Sequence, residues 1–208
     1  MKLFITSIDT NIGKTIVSSI VCQALSYKYW KPVQSGDLLD TDSHKIAKLS
    51  PTTFIYPETY SLNQPLSPHE SANRDGVQIS IVNFKLPANE NLVIEGAGGV
   101  MVPLNESGDM IIDIATIFKC SLILVVKNYL GSINHTLLTI KELNRRGFKN
   151  IGLVLVGDRV ESSERIIQEI GECSIIANIP FEENIDEDWV NTQANNIRKP
   201  LRDFFKIK

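Results

Sequence analysis

The stretch Thr6-Ser7-Ile8-Asp9-Thr10-Asn11-Ile12-Gly13-Lys14-Thr15 constrains this chain more than any other. It follows the apolar run Leu3-Phe4-Ile5 and opens a helical pattern with Ile16, Val17, Ile20, Val21, Ala24 and Leu25 on one side. Strand, tight loop ending Gly-Lys-Thr, then helix is the context a phosphate-binding loop requires. Consecutive backbone N–H groups and a helix N-terminus attract phosphate oxygens, Lys14 adds a point charge, and the Thr15 hydroxyl suits Mg²⁺. The strict Gly-x4-Gly-Lys-Thr spacing is not met, because Ile8 stands where its first glycine falls. The flanking elements therefore carry the reading.

Four later runs, 29–33, 92–95, 121–126 and 151–156, read as buried strands, with 175–179 as a further candidate. Leu122-Ile123-Leu124-Val125-Val126 does not alternate, as expected of a parallel strand covered on both faces. Helical patterns lie between, clearest over 133–146 and 163–171. The expectation is an α/β fold of the P-loop NTPase type, a mainly parallel sheet with helices on both faces, in one domain over 1–208. Ligands of such sheets gather at the carboxyl ends of the strands. Residues 50–87, rich in proline, read as a loop-rich excursion with a short helix near 69–74.

A formal net charge of −3 argues against a nucleic-acid partner held mainly by charge. Three widely spaced cysteines without a CxxC pair read as reduced thiols of a cytoplasmic protein. The first residues read as no signal peptide, and no apolar run approaches the ~20 residues that span a bilayer, so no membrane partner is expected.

Four clusters fall at expected strand ends. In Lys31-Pro32-Val33-Gln34-Ser35-Gly36, Pro32 keeps the chain extended and Gly36 permits a turn, which presents Lys31 and Ser35 to a cleft beside the loop. A second lysine there would stabilise charge on a transferring phosphoryl group. Taken alone, an exposed strand-end lysine is the plainer reading. The acidic stretch Asp37-Leu38-Leu39-Asp40-Thr41-Asp42 precedes an amphipathic helix. One of its carboxylates suits Mg²⁺, while Asp40, Thr41 or Asp42 equally suits a helix N-cap. Leu92-Val93-Ile94-Glu95 followed by Gly96-Ala97-Gly98-Gly99 has the layout of a Walker-B-type site, a carboxylate ending a buried strand before a glycine turn. Leu130-Gly131-Ser132-Ile133-Asn134-His135 opens a long helix, where Ser132 suits an N-cap or the helix start suits a carboxylate. His135 reads as a packing or surface histidine, with no nearby partner to activate it.

These segments, in this order, resemble the dethiobiotin synthetases, the ATP-dependent ring-closing enzymes of biotin synthesis. Leu66-Ser67-Pro68-His69 and Ile179-Pro180-Phe181 extend the resemblance to about Pro180. It implies a homodimer with the active site at the subunit interface, acting on 7,8-diaminopelargonate, CO₂ and a nucleoside triphosphate, with Mg²⁺. An amine captures CO₂ as a carbamate, ATP phosphorylates it, and the second amine closes the ureido ring with loss of phosphate. By the resemblance, Lys31, Lys14 and Thr10 are the catalytic residues. Asn11, Ile12, Gly13, Lys14, Thr15, Ile16, Asp42, Glu95, Gly96, Ala97, Gly98, Gly157, Asp158, Pro180 and Phe181 bind the nucleotide. Thr10, Lys31 and Ser35, with Gly131, Ser132, Ile133 and Asn134 of the partner subunit, bind substrate, and Thr15, Asp42 and Glu95 hold the metal.

Two positions depart from the family's usual pattern. Ser7 replaces a glycine at the start of the loop, and Gly157 replaces an asparagine whose amide reads the nucleotide base, so relaxed base selectivity is expected. A rival reading is a nucleotide-switched ATPase of the partition or septum-site kind. It draws on the tail, where Ile197, Leu201, Phe204 and Phe205 interleave with basic residues; docking of that tail on its own domain is the plainer reading. An amide synthetase related to cobyrinate amidation shares the loop, but 208 residues leave no room for its glutaminase domain.

Overall fold

β1 (Lys2–Ser7) is buried on both faces, with Leu3, Phe4 and Ile5 wholly shielded, and such a strand belongs at the centre of a parallel sheet. The computed structural model describes residues 1–86 and 90–207. Pro87, the last residue of the loop-rich segment, and Lys208 lie outside that description. Along the chain follow α1 (Lys14–Leu25), β2 (Lys28–Trp30), β3 (Val33–Ser35), α2 (Asp42–Leu49), β4 (Ile55–Tyr56), β5 (Tyr60–Leu62) and α3 (Pro68–Asp75). Then come β6 (Leu92–Gly99), α4 (Ile111–Ile117), β7 (Ser121–Lys127), α5 (Ser132–Arg145), β8 (Ile151–Val156), α6 (Glu161–Gly171), β9 (Ser174–Ile179) and α7 (Glu187–Phe205).

The main sheet has seven strands in the order β4-β2-β6-β1-β7-β8-β9, all parallel. Leu3, Ile5, Val93, Ile123, Val125 and Val154 point to the face covered by α1, α2 and α7. Phe4, Ile94, Leu122, Leu124 and Leu153 point to the face that holds buried residues of α4, α5 and α6. The expected α/β architecture with helices on both faces is present. From β1 the chain goes to one side of the sheet, and it reaches the other side only at β7. That reversal puts the carboxyl end of β1 at the switch point where open α/β sheets bind ligands.

Several expectations need correcting. The run 29–33 is not one strand: β2 ends at Trp30, and β3 leaves to pair with β5 in a separate two-stranded sheet. Pro32 sits at the break; it has no N–H for a ladder bond, and its carbonyl accepts instead from the N–H groups of Thr59 and Tyr60. The run 92–95 continues as strand to Gly99. The proline-rich excursion holds β4, β5, α3 and a 3-10 turn over Ile81–Asn83, with α3 close to the expected short helix. The sequence does not signal helix α4, because its seven residues make barely two turns, too short a window for a helical period to stand out.

The basic, aromatic tail is the end of α7. Ile197, Leu201 and Phe205 are buried, Phe204 packs beside them, and Arg198 donates to the Ala24 carbonyl of α1 at 2.9 Å. The apolar stripe is thus spent on α1 and the sheet. Among the described residues no helix is long and apolar enough to cross a membrane. Leu201 is fully shielded, so Leu201→Ala is expected to cost about 3 kcal/mol of stability by lost burial and a residual cavity. Urea unfolding followed by circular dichroism checks this; an unchanged midpoint would mean that the tail is not docked.

Candidate active site

β1 and β6 run in register from Lys2 opposite Leu92 to Ile5 opposite Glu95, then slip so that Ser7 faces Gly99. Four residues of β6 thereby oppose two of β1, and the extra length bulges toward the loop that follows β1. Gly98 takes a left-handed φ of +61° in that bulge, and a Cβ there would stand 2.8 Å from Val102 Cγ2 and 3.6 Å from the Thr10 hydroxyl. The glycine is needed because its φ is left-handed and a Cβ would run into the Val102 side chain. On the other side of the loop, Gly13 caps α1 at φ +102°, packed over Val156 at the end of β8. The loop is therefore seated between the ends of β6 and β8, with Asn11 also left-handed and Ile12 buried.

Five of the predicted residues meet below that loop. The Thr15 hydroxyl, in the first turn of α1, lies 3.0 Å from Asp42 Oδ1 and 2.9 Å from Glu95 Oε1. It has one proton to share between two carboxylates. Lys31 Nζ is 2.6 Å from Asp42 Oδ2 and 3.1 Å from Glu95 Oε1, and donates to the Gly96 carbonyl at 3.0 Å. Lys31 is only 4% exposed, which overturns the reading of an exposed strand-end lysine. Lys14 Nζ donates to Ser7 Oγ at 3.0 Å and to the Asp9 carbonyl at 3.4 Å. Ser7, the residue that departs from the family's glycine, thus holds the loop lysine.

The acidic stretch resolves as well. Thr41 is the N-cap of α2, accepting from the His44 N–H, so Asp42 keeps its carboxylate for Thr15 and Lys31, while Asp37 and Asp40 are exposed or nearly so. Gln34, not singled out from the sequence, ties the pieces together. Its Oε1 accepts from the Asp42 N–H at 3.3 Å and its Nε2 donates to the Gly36 carbonyl at 2.9 Å. Tyr29 was also missed: its hydroxyl donates to Glu95 Oε2 at 3.0 Å. Strand alternation was a usable signal, since Tyr29 and Lys31 stand two apart and therefore share a face.

Burial and charge set the protonation states. Burial lowers the Lys31 affinity for its proton, but Glu95 and Asp42 outweigh it and hold the value above the ordinary lysine range. Burial would raise Asp42, yet Lys31, through charge and hydrogen bond, with Thr15, holds it below the carboxylate range. Burial, reinforced by Glu95, pushes the Tyr29 phenol far up. Lys14 differs: burial, with the nearby Lys31 charge, outweighs Glu95 and brings it down to about 8.

The remaining predicted residues lie apart from this cluster. Ser35 ends β3 with a buried hydroxyl that has no hydrogen-bond partner among the described residues. Gly157, Asp158, Pro180 and Phe181 follow β8 and β9, joined by the Gly157 N–H to the Ile179 carbonyl at 2.8 Å, with Phe181 67% exposed. Gly131, Ser132, Ile133 and Asn134 open α5, and no hydrogen bond among the described residues joins them to Lys31, Thr10 or Ser35. His135 does have a partner, contrary to expectation: its Nδ1 is 2.7 Å from the Tyr129 hydroxyl, which lies six residues earlier across the turn.

For magnesium, the donor set is two carboxylates and a hydroxyl, all hard oxygens converging within hydrogen-bond distance. Among the described residues no group of three or more acidic, histidine or cysteine side chains is gathered. That count matches a cation that keeps several waters and takes phosphate oxygens as further ligands. Thr15, Asp42 and Glu95 fit the ion.

The Lys14 value carries a sign. The folded state holds it below its ordinary 10.5, so below pH about 8 its charge opposes folding, and the opposition fades between about 8 and 10.5. An anionic phosphate favours the ammonium. Nucleotide binding at pH 8 to 9 is therefore expected to take up protons and to weaken as pH rises; calorimetry in buffers of different ionisation enthalpy reads both. Proton uptake that persists in Lys14→Met would remove the assignment.

A protein-family profile described as an AAA domain matches residues 1–188. A curated relative named ATP-dependent dethiobiotin synthetase BioD, from Christiangramia forsetii, is 45% identical over 95% of this chain and 96% of its own length. Relatives of the same name from Cytophaga hutchinsonii and Brucella ovis are 48% and 39% identical. They cover 93% and 90% of this chain, and 95% and 89% of their own lengths. Among solved structures, the MinD cell division protein of Aquifex aeolicus superposes with a TM-score of 0.56 at 15% identity, covering 100% of this chain and 98% of its own. A ParA family ATPase from Chlorobium tepidum gives 0.53 at 14% identity, covering 96% and 91%. At such identities these two establish the fold and nothing about the reaction.

Proposed function

This chain belongs to the dethiobiotin synthetase family, and from that premise we propose how its residues divide the work. It is an ATP-dependent ligase that forms dethiobiotin in biotin synthesis. The partition and septum-site likeness rests on fold alone, and nothing favours a switch function.

The observation that carries the reading is the cluster of Lys14, Thr15, Lys31, Asp42 and Glu95 at the carboxyl end of β1. Phosphoryl transfer asks for positioning and charge neutralisation more than for proton traffic. Lys31 is held protonated, so it acts as a fixed cation and not as a base. In the proposed reaction one amine of 7,8-diaminopelargonate adds to CO₂ and loses a proton, giving a carbamate. A carbamate oxygen attacks the γ-phosphorus and ADP leaves. The second amine then attacks the carbamoyl carbon, and phosphate departs with the C–O bond.

Lys31 would lie against the transferring phosphoryl group and the carbamate, and Lys14 with the Asn11–Ile16 backbone would hold the polyphosphate. Thr10, beside Gly98, and the unpartnered Ser35 hydroxyl would hydrogen-bond the reacting end of the substrate. Thr15, Asp42 and Glu95 would bind Mg²⁺, which supplies charge to the phosphate oxygens. Gly96, Ala97 and Gly98 would face the phosphates, and Gly157, Asp158, Pro180 and Phe181 the base.

We propose further that the chain, as one domain, works in the cytoplasm as a homodimer whose partner lends the α5 start, Gly131 to Asn134, to the substrate carboxylate. Three free cysteines support a reducing compartment. Leu130, fully exposed beside that helix start, supports a contact there.

Three expectations test this reading. ADP release by purified protein should require diaminopelargonate and bicarbonate together with MgATP, and dethiobiotin should appear in step; release indifferent to both would sink the synthetase assignment. Lys31→Met should lower kcat by about 10³-fold, in the range lost with a single transition-state donor, with far less effect on KM for ATP. Gly157 has no side-chain amide, so GTP or CTP should support turnover comparable to ATP; strict use of ATP would show that another group reads the base.

A further inference from the structure

We propose that Tyr29 is a positioning residue that makes Glu95 a one-oxygen ligand and so tunes the site to small divalent cations. The inference rests on the reading of Glu95 as a metal carboxylate and concerns how this chain holds it.

Tyr29 stands opposite Val93 in the β2–β6 ladder, and Glu95, two residues beyond Val93, projects from the same face. That is the α1 face, where Tyr29 and Val93 pack together in one cluster. Tyr29 is fully shielded and Glu95 is 1% exposed, so no bulk water competes for either group. The phenol donates to Oε2 at 3.0 Å, while Thr15 and Lys31 both lie on Oε1, at 2.9 and 3.1 Å. The two oxygens therefore have different neighbours. Turning the carboxylate to offer Oε2 to a cation would break a buried hydrogen bond to a charged group, which costs more than an ordinary one.

Each carboxylate oxygen keeps two lone pairs, so the phenol does not close Oε2 but fixes the carboxylate's rotation, and Oε1, on the Thr15 side, is the oxygen presented to a cation. Mg²⁺ and Mn²⁺ take single oxygens in near-octahedral sets, whereas Ca²⁺ accommodates bidentate carboxylates and higher coordination numbers. A phenol fixed behind a ligand also belongs to the outer shell, whose loss typically costs about 10- to 100-fold in metal affinity. Tyr29 and Val93 otherwise belong to one buried apolar cluster, in which a phenylalanine would also pack. The hydroxyl is thus the part of Tyr29 that packing does not explain.

The test is Mn²⁺ binding by electron paramagnetic resonance, with a non-hydrolysable ATP analogue present, in wild type, Tyr29→Phe and Glu95→Gln. Tyr29→Phe is expected to bind Mn²⁺ about 10-fold more weakly and to lose part of the preference for Mn²⁺ over competing Ca²⁺. Its melting temperature without metal should change much less than its affinity. Unchanged Mn²⁺ affinity and unchanged Ca²⁺ competition in Tyr29→Phe, with binding lost in Glu95→Gln, would overturn the inference alone. Full binding in Glu95→Gln would overturn the metal-site reading beneath it. Should Tyr29→Phe fail to fold, wild-type protein with ¹³Cζ-labelled tyrosine serves instead. The infrared C–O band whose position Glu95→Gln changes should shift when Mn²⁺ and the analogue are added, and a band that stays in place would count against the role.

Discussion

The buried ammonium of Lys31 between the carboxylates of Asp42 and Glu95 is the interaction on which the rest depends. Two carboxylates so close, with little water, are tolerable only beside positive charge. Lys31 brings that charge from the break between β2 and β3; the Asp42 carboxylate comes from the start of α2 and the Glu95 carboxylate from the middle of the buried strand β6. Three separate elements are thus tied at one point, and the point lies under the phosphate-binding loop. The break in β2 has its rationale here. Pro32 ends the ladder immediately after Lys31, so the lysine is delivered at the carboxyl end of β2, between β4 and β6, while the chain moves off to form β3.

Around that pair, each neighbour restricts one freedom. Thr15 links α1 to both carboxylates, Gln34 links β3 to the α2 start, and Tyr29 fixes the second oxygen of Glu95. Thr41 takes over the capping of α2, which releases Asp42 from that duty. Lys14 is the member with the least compensation. Holding it near 8 and not at its ordinary 10.5 corresponds to on the order of 3 kcal/mol set against folding, by the usual conversion of pKa difference to free energy. In the proposed site, a phosphate group beside Lys14 would restore the balance by favouring its ammonium form.

Under the proposed reading, phosphoryl chemistry suits this arrangement, because Lys31 and Asp42 would keep their charges through the transfer. Lys31 and Asp42 are both held ionised, and neither is poised to exchange protons near neutrality. The site is built to arrange and neutralise, which is where the barrier to such transfers lies.

What the sequence by itself determined is local. The loop after β1 and the run of parallel strands follow from short-range chemistry: apolar runs too continuous to alternate, and Gly-Lys-Thr before a helix. The glycine segment after Glu95, expected as a turn, is instead a bulged continuation of β6 to Gly99. The tertiary structure decided what depends on distance through space. Whether Lys31 is exposed or buried, which acidic residue reaches Thr15, and that Pro32 divides one expected strand into two were open until the sheet was assembled, because each turns on a partner tens of residues away. Tyr29 was hidden for the same reason: its ring reads as core, and its role lies in one hydroxyl whose acceptor sits on a neighbouring strand. Helix α4 escaped because seven residues are too short a stretch for the period by which a helix is recognised. Sequence specifies residues and their neighbours along the chain, and only the packed sheet brings opposite charges from β2, α2 and β6 close enough to fix each other's state.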